Sequence, residues 1–176
     1  MREIAEEAGI SKALLFHYFD NKKALYLFLW DTCAKVTIEY MKAYGCYEQT
    51  DLFEMMYRGL RAKAQIMRRY PDMGSFVVKA YYSDESEVKP DILRSYEKYK
   101  RQKVDHALAA LDPAQFKPGL DLRLMYQQMF LASEGYLWRI VQQGNIDAEK
   151  MEQEFSEMLE FWKQLFLRKE GENESD

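Results

Sequence analysis

Glycine and proline are scarce in this sequence, and they fall where a helical chain has to stop. Gly9, Gly45, Pro71 with Gly74, Pro90, Pro113, Pro118-Gly119 and Gly144 cut it into pieces of helix length. Between these breaks the apolar residues recur every three to four positions and nowhere alternate in the strand manner. The pattern predicts helices over 2–8, 12–19, 22–43, 51–69, 72–83, 91–111, 120–143 and 147–168. In the long piece 22–43 the inward face is read as Leu25, Leu29, Thr32, Val36 and Tyr40. In 51–69 it is Phe53, Met56, Leu60, Ala64 and Met67, and in 91–111 it is Ile92, Tyr96, Tyr99, Lys103, Ala107 and Leu111. The stretch 120–143 is apolar nearly all round, which predicts burial on several sides. The fold class expected is all-α.

Composition narrows the function. The longest apolar run, Ala24 to Trp30, is far short of the roughly 20 residues a membrane span needs. No charged-then-apolar secretion signal opens the chain. Cys33 and Cys46 are too few for a disulfide framework or a zinc site and read as reduced thiols of a cytoplasmic protein. The net charge is −4, so any nucleic-acid binding has to come from a local surface. Aromatic residues make up 15%, with ten methionines besides, a large supply of apolar surface for a core, an interface or a pocket.

The opening thirty residues carry the most information. A short helix, Arg2–Ala8, ends at Gly9, which can turn the chain at positive φ. Ala5 is small enough for a second helix to cross close by, and Ile10 fills the angle. Ser11 is a good N-cap for Lys12–Phe19. Leu15 and Phe19 face inward. Lys12, Ala13, Phe16 and His17 lie on other faces. Asp20-Asn21 then break the helix and Lys22-Lys23 open the next. This is helix-turn-helix logic, in which the second helix enters the major groove by its N-terminal residues. The Ala5, Gly9, Ile10, Ser11 pattern by itself also joins ordinary packed helices.

The whole segment from Ile4 to Leu25, IAEEAGISKALLFHYFDNKKAL, resembles the DNA-binding signature of tetracycline-repressor (TetR) family transcription regulators. That resemblance implies a DNA-binding head joined by a long helix to a larger helical domain that binds a small molecule and dimerises through its last two helices. Here the division implied is 1–30 and 31–176. It also implies roles. Ser11 caps the recognition helix. Lys12, Ala13 and Leu14 approach base edges, and Tyr18 and Lys22 grip phosphates, with Arg2, His17 and Lys23 beside them. Phe16 stands where the family usually has Tyr, so one hydroxyl contact is lost. The family's first helix has no counterpart in this sequence, so the head implied is one helix short. Residues 1–30 hold four basic and four acidic groups, which predicts salt-sensitive binding through few phosphate contacts.

In the larger region, Glu134 sits among Met125, Tyr126, Met129, Phe130, Tyr136, Leu137 and Trp138. Two readings stay open. It pairs with Arg139 or reaches solvent, or it faces a cavity and selects a cationic or hydrogen-bonding ligand. Candidate ligand contacts are Phe76, Tyr81, Tyr99, Tyr126, Met129, Glu134 and Trp138, although aromatic stripes at this spacing also build cores. Met151, Phe155, Met158, Trp162 and Leu165 recur at 4-3-4-3 spacing. This seam fits a dimer interface, or packing of the last helix within its own chain. Arg58, Arg61, Lys63, Arg68 and Arg69 form a basic run, read as a solvated face; the acidic stretch 147–160 could balance it in space, which the sequence alone does not decide. The tail 169–176 is expected to fray.

Catalysis finds no support. His17 and His106 lack motif partners, and no metal cluster, phosphate loop or nucleophile elbow is present. No cofactor and no metal are expected. The function expected is a ligand-responsive, DNA-binding homodimer, more specifically a repressor. An apolar or aromatic small molecule would release it from a palindromic operator on double-stranded DNA, with no membrane partner. The alternative is a dimeric small-molecule-binding or interaction protein that has lost DNA binding. A weaker third reading places the 58–70 basic face on an anionic membrane surface.

Overall fold

The computed structural model describes residues 1–84, 86–144 and 147–169. The expected fraying of the tail falls largely on 170–176, outside the described residues. Among the described residues there are eight α-helices and no strand longer than one isolated bridge. They are α1 (Arg2–Glu7), α2 (Lys12–Tyr18), α3 (Lys22–Ala43), α4 (Leu52–Arg69), α5 (Pro71–Tyr82), α6 (Lys89–Ala110), α7 (Leu122–Gln143) and α8 (Ala148–Phe166).

Local chemistry sets these boundaries. Ser11, Asn21, Asp51, Asp121 and Asp147 each cap a helix by accepting a backbone N–H of its first turn. Proline opens α5 and α6 in the first turn, where a missing N–H costs nothing. Gly144 ends α7 at a φ of 70°.

Helix α4 lies at the centre of the body and packs against α8, α3 and α5. Its apolar stripe, including Phe53, Leu60, Ala64 and Met67, joins the main core with α7 and α8. Gly74 brings α5 tight against α4, since a Cβ there would stand 2.7 Å from Met67 Cγ. Arg61 ties α4 to α8 through Glu152 at 3.4 Å, so the acidic stretch does meet the basic run in space. An isolated bridge between Phe116 and Leu167 fastens the α6–α7 connection to the end of α8.

Two inward faces differ from those the periodicity suggests. In α3 the buried residues are Leu25, Trp30, Cys33 and Met41, while Leu29 and Thr32 are exposed. The helix is apolar on adjoining stripes, and burying the Trp30 indole turns it by about one residue. In α8, Met151, Phe155 and Trp162 are buried within the chain, with Phe155 6.2 Å from both the Tyr136 and the Trp162 rings. The seam is therefore filled by the chain's own α4 and α7. Met158 is half-buried, and Leu165 alone of that set is exposed. The outward apolar residues of the last two helices are Leu124, Leu131, Phe161 and Leu165.

Phe155 is 2% exposed at the junction of α4, α7 and α8. Phe155→Ala is expected to cost about 3–5 kcal/mol, measured by urea unfolding followed by circular dichroism.

Candidate DNA-binding head and ligand cavity

The first three helices build the head. Gly9 adopts a φ of 67°, and the Ile10 amide donates back to the Ala5 carbonyl at 3.0 Å, closing the turn. Ala5, Leu15 and Leu25 are buried together, with Met1, Ile10 and Phe19 packed on them. The Ser11 hydroxyl accepts the Leu14 amide at 3.0 Å, and Asn21 accepts the Ala24 amide at 2.8 Å. With the inner side so defined, Lys12, Ala13, Leu14, Phe16, His17 and Tyr18 all face solvent, Tyr18 most of all at 70% exposed. Lys12 lies 5.5 Å above the Phe16 ring.

The cations of the head are not equivalent. Arg2 pairs with Glu6 at 2.9 Å. Lys23 pairs with Asp91 of α6 at 2.9 Å, and hydrogen bonding from Lys23 outweighs burial and holds the Asp91 carboxyl below its ordinary range. Lys12 and Lys22 carry no ion pair among the described residues. Of the cations singled out in the sequence, these two are uncompensated, while Lys23 serves the joint between head and body. Seven residues along α3, the Trp30 indole N–H donates to Ser95 Oγ on α6 at 3.1 Å. Helix α3 is thus bracketed to α6 at two levels.

Between these helices lies a cavity of about 830 Å³, counting the solvent at its mouth. Trp30, Ala34 and Thr37 of α3 form one wall. Ile66 and Met67 of α4 and Met73, Val77 and Val78 of α5 supply most of the apolar lining, and Leu137 of α7 adds to it. Ser95, Tyr96 and Tyr99 come from α6. A smaller cavity of about 360 Å³ lies deeper, lined in part by Leu60, Lys103, Tyr126, Phe130 and Phe155. Lys63, Glu134 and Leu137 line both, and the Lys63–Glu134 pair is the polar part of the partition between them.

The partition is polar and well connected. Lys63 Nζ donates to Glu134 Oε1 at 2.9 Å, and the Tyr96 hydroxyl donates to Glu134 Oε2 at 2.9 Å. Burial alone raises the Glu134 carboxyl, but Lys63, Lys103 and Tyr96 together outweigh it and keep the carboxyl below its usual range. Glu134 is therefore ionised at neutral pH. Burial, with Glu134 next, pushes the Tyr96 phenol far up. The Tyr99 phenol is raised mainly by burial, and its hydroxyl is buried with no hydrogen-bond partner. Burial and the charge of Lys63 pull Lys103 down to about 8.

The sequence candidates separate on this geometry. Tyr99 and Glu134 line the main cavity and Tyr126 the deeper one. Met129 is buried in the core. Phe76 packs on Tyr26, Tyr81 on Tyr96, and Trp138 on Tyr82, outside the lining. Arg139 is paired with Glu154 at 3.1 Å, so Glu134 takes the cavity-facing position with Lys63 as its partner. Lys63 also departs from the solvated face expected of the basic run. Sequence reading missed Trp30, Met73 and Val77, which no pattern separates from core. It also missed Lys63, whose signal was a cation three residues after Leu60 and one before Ala64 on the apolar side of α4. Among the described residues no group of three or more His, Cys, Asp or Glu could hold a metal ion, and no helix is long and apolar enough to cross a membrane.

Residues 1–28 match the family model described as bacterial regulatory proteins, tetR family. No curated protein sequence matches the chain. Solved structures share the fold at low identity, three of them as follows. The fatty acid degradation regulator FadR from Bacillus halodurans superposes with a TM-score of 0.70 at 15% identity, over 98% of this chain and 84% of that one. A TetR family transcriptional regulator from Chloroflexus aurantiacus gives 0.61 at 21%, over 96% and 84%. The ketosteroid transcriptional regulator KstR2 of Mycobacterium tuberculosis gives 0.55 at 16%, over 96% and 84%.

The partition generates a stability test. Lys63→Met leaves the Glu134 carboxylate without its nearest cation and is expected to cost on the order of 2–3 kcal/mol at pH 7. Because the folded carboxyl lies below its unfolded value, the stabilisation is present above the ordinary carboxylate range and lost as pH falls through the folded value. The Lys63→Met, Glu134→Gln double variant is expected to recover most of the loss. A double-mutant cycle by urea unfolding at pH 7 and pH 4 checks both statements.

Proposed function

We propose that this chain, whose head is that of the tetR family of bacterial regulatory proteins, works as a ligand-responsive DNA-binding transcription regulator in the cytoplasm. The observation that carries the reading is the double use of α3. One helix begins under the recognition helix, and the same helix walls the cavity with Trp30, Ala34 and Thr37. A molecule entering the cavity therefore presses on the rod that aims the head.

Recognition follows from the exposed face of α2. Lys12, Ala13 and Leu14 lead into the major groove, and Tyr18 and Lys22 hold phosphates on either side. The chain acts as a homodimer through Leu124 and Leu131 of α7 with Phe161 and Leu165 of α8, which are the outward apolar residues of those helices. Two-fold symmetry then calls for a palindromic operator with half-sites about one helical turn apart, roughly 34–36 Å, or a multiple of it.

Release works by differential affinity. An effector that binds the cavity more tightly when α3 has moved away from α6 breaks the Trp30–Ser95 bond, tilts α3 and changes the spacing of the heads. A coupling of about 1–3 kcal/mol lowers operator affinity roughly 5–150-fold. The apolar lining favours an apolar or aromatic effector. Two of the structural neighbours are named as regulators of fatty acid degradation and as a ketosteroid regulator, compounds of that character.

The test is fluorescence anisotropy on DNA from the region upstream of the gene. Lys22→Ala is expected to weaken binding to all sequences alike and to reduce the salt slope by about one per head. Lys12→Ala is expected to relax base preference as well. Binding that is absent, or that ignores both substitutions and salt, contradicts the reading.

A further inference from the structure

The polar groups around the cavity do not balance. Lys63 Nζ has three donors, and Glu134 takes one of them. Lys103 makes no hydrogen bond among the described residues; its ammonium lies 5.4 Å from the centroid of the Phe130 ring. The Tyr99 hydroxyl is buried and has no partner. Among the described residues Glu134 is the one carboxylate lining either cavity, and Lys63 donates to one of its oxygens and Tyr96 to the other. The Trp30 indole donates to Ser95 Oγ, and the Thr37 hydroxyl donates to the Cys33 carbonyl at 2.8 Å. Two ammonium groups face one carboxylate. The region is short of one negative charge and of acceptor oxygens, while the rest of the main cavity is aliphatic and aromatic.

We propose that the ligand of this cavity is an amphiphilic monocarboxylic acid, its apolar body lying among Trp30, Met73, Val77 and Leu137 and its carboxylate at the partition, drawn to Lys63 and Tyr99 from the main cavity and to Lys103 from the smaller one. This rests on the reading of the cavity as the effector site and adds the chemistry of the effector. A carboxylate supplies the missing charge and accepts from donors that otherwise stay unmet. An alcohol of the same length satisfies Tyr99 but leaves the excess charge. An amine adds a third cation beside Lys63 and Lys103, against the single carboxylate of Glu134. On this reading Glu134, which Lys63 answers within the chain, does not select a cationic ligand.

Proton linkage gives a signature that needs no substitution. The charged and titratable groups facing Lys103 are Lys63 from α4, Glu134 from α7 and Cys46 from the turn before α4, and burial with Lys63 brings Lys103 down to about 8. Tyr99 on its own helix is raised and stays protonated. A carboxylate prefers the charged ammonium, so its affinity falls as pH rises through about 8, while that of an alcohol does not.

The experiment titrates the full chain with decanoate, decan-1-ol and decylamine, read by tryptophan emission, to which Trp30 on the cavity wall contributes beside Trp138 and Trp162, and by calorimetry. At pH 7 decanoate is expected to bind at least about tenfold more tightly than decan-1-ol, with decylamine weakest. The preference is expected to shrink by about tenfold in Lys103→Met, more modestly in Tyr99→Phe, and in the unsubstituted chain at pH 9.5. Binding of decan-1-ol or decylamine as tight as that of decanoate, or a preference that survives both Lys103→Met and pH 9.5, overturns the acid and leaves the cavity as a ligand site. Uptake of none of the three overturns the acid and the effector-site reading together.

Discussion

One rod has to satisfy two sets of neighbours. Leu25, near the start of α3, completes the small core of the head, and Trp30, just over one turn on, is buried against Ala80, Val88 and Ile92 of the body. A helix resists bending between such points, because its backbone hydrogen bonds run unbroken from Lys22 to Ala43. Any change in how the Trp30 end sits is therefore delivered to the Leu25 end. The Lys23–Asp91 pair and the Trp30–Ser95 bond define the resting angle, and both are made to α6. Neither is fully buried, so each contributes modestly and can be exchanged for another contact at small cost.

The second constraint is the charge carried inward on α4. Lys63 lies on a stripe that otherwise packs the core, and a cation there needs an answer from outside its own helix. Glu134 gives it from α7, and Tyr96 joins from α6, so three helices meet at one polar knot between two cavities. The knot is sensitive by construction. Its donors exceed its acceptors, and under the proposed function a ligand that brings acceptors would shift the contacts of α6, the helix to which α3 is bracketed. Ligand chemistry and head geometry thus share a wall.

Much of this was legible in the sequence, for identifiable reasons. Helix ends depend on local chemistry, so Gly9, Ser11, Asn21, Pro71 and Gly144 marked them to within a residue or two. The head was legible because a turn, a cap and an inward pair fall in a fixed order within one short segment. Partners distant in the chain were harder. The seam on α8 has the same spacing whether α4 or a second chain fills it, and here Phe155 is filled from within. The stripe of α3 was misplaced by one residue because adjoining stripes are both apolar and only Trp30 packing decides. Glu134 and Arg139, five residues apart, point to different sides of α7, whereas Lys63 lies 71 residues away. Cavity walls such as Met73 and Val77 carry no signal, because a residue beside empty space has the same composition as one beside another side chain.

Under the proposed function, occupancy of the cavity moves the head through α3. A distance between spin labels attached at Glu3→Cys in the two subunits of a dimer, taken by pulsed electron resonance with Cys33 and Cys46 buried from the label, reads that motion directly. The account predicts one distance distribution in the empty protein and a displaced one when the cavity is filled. An identical distribution in both states, with the cavity demonstrably occupied, would contradict it, as would a chain that gives no dipolar coupling because it never pairs.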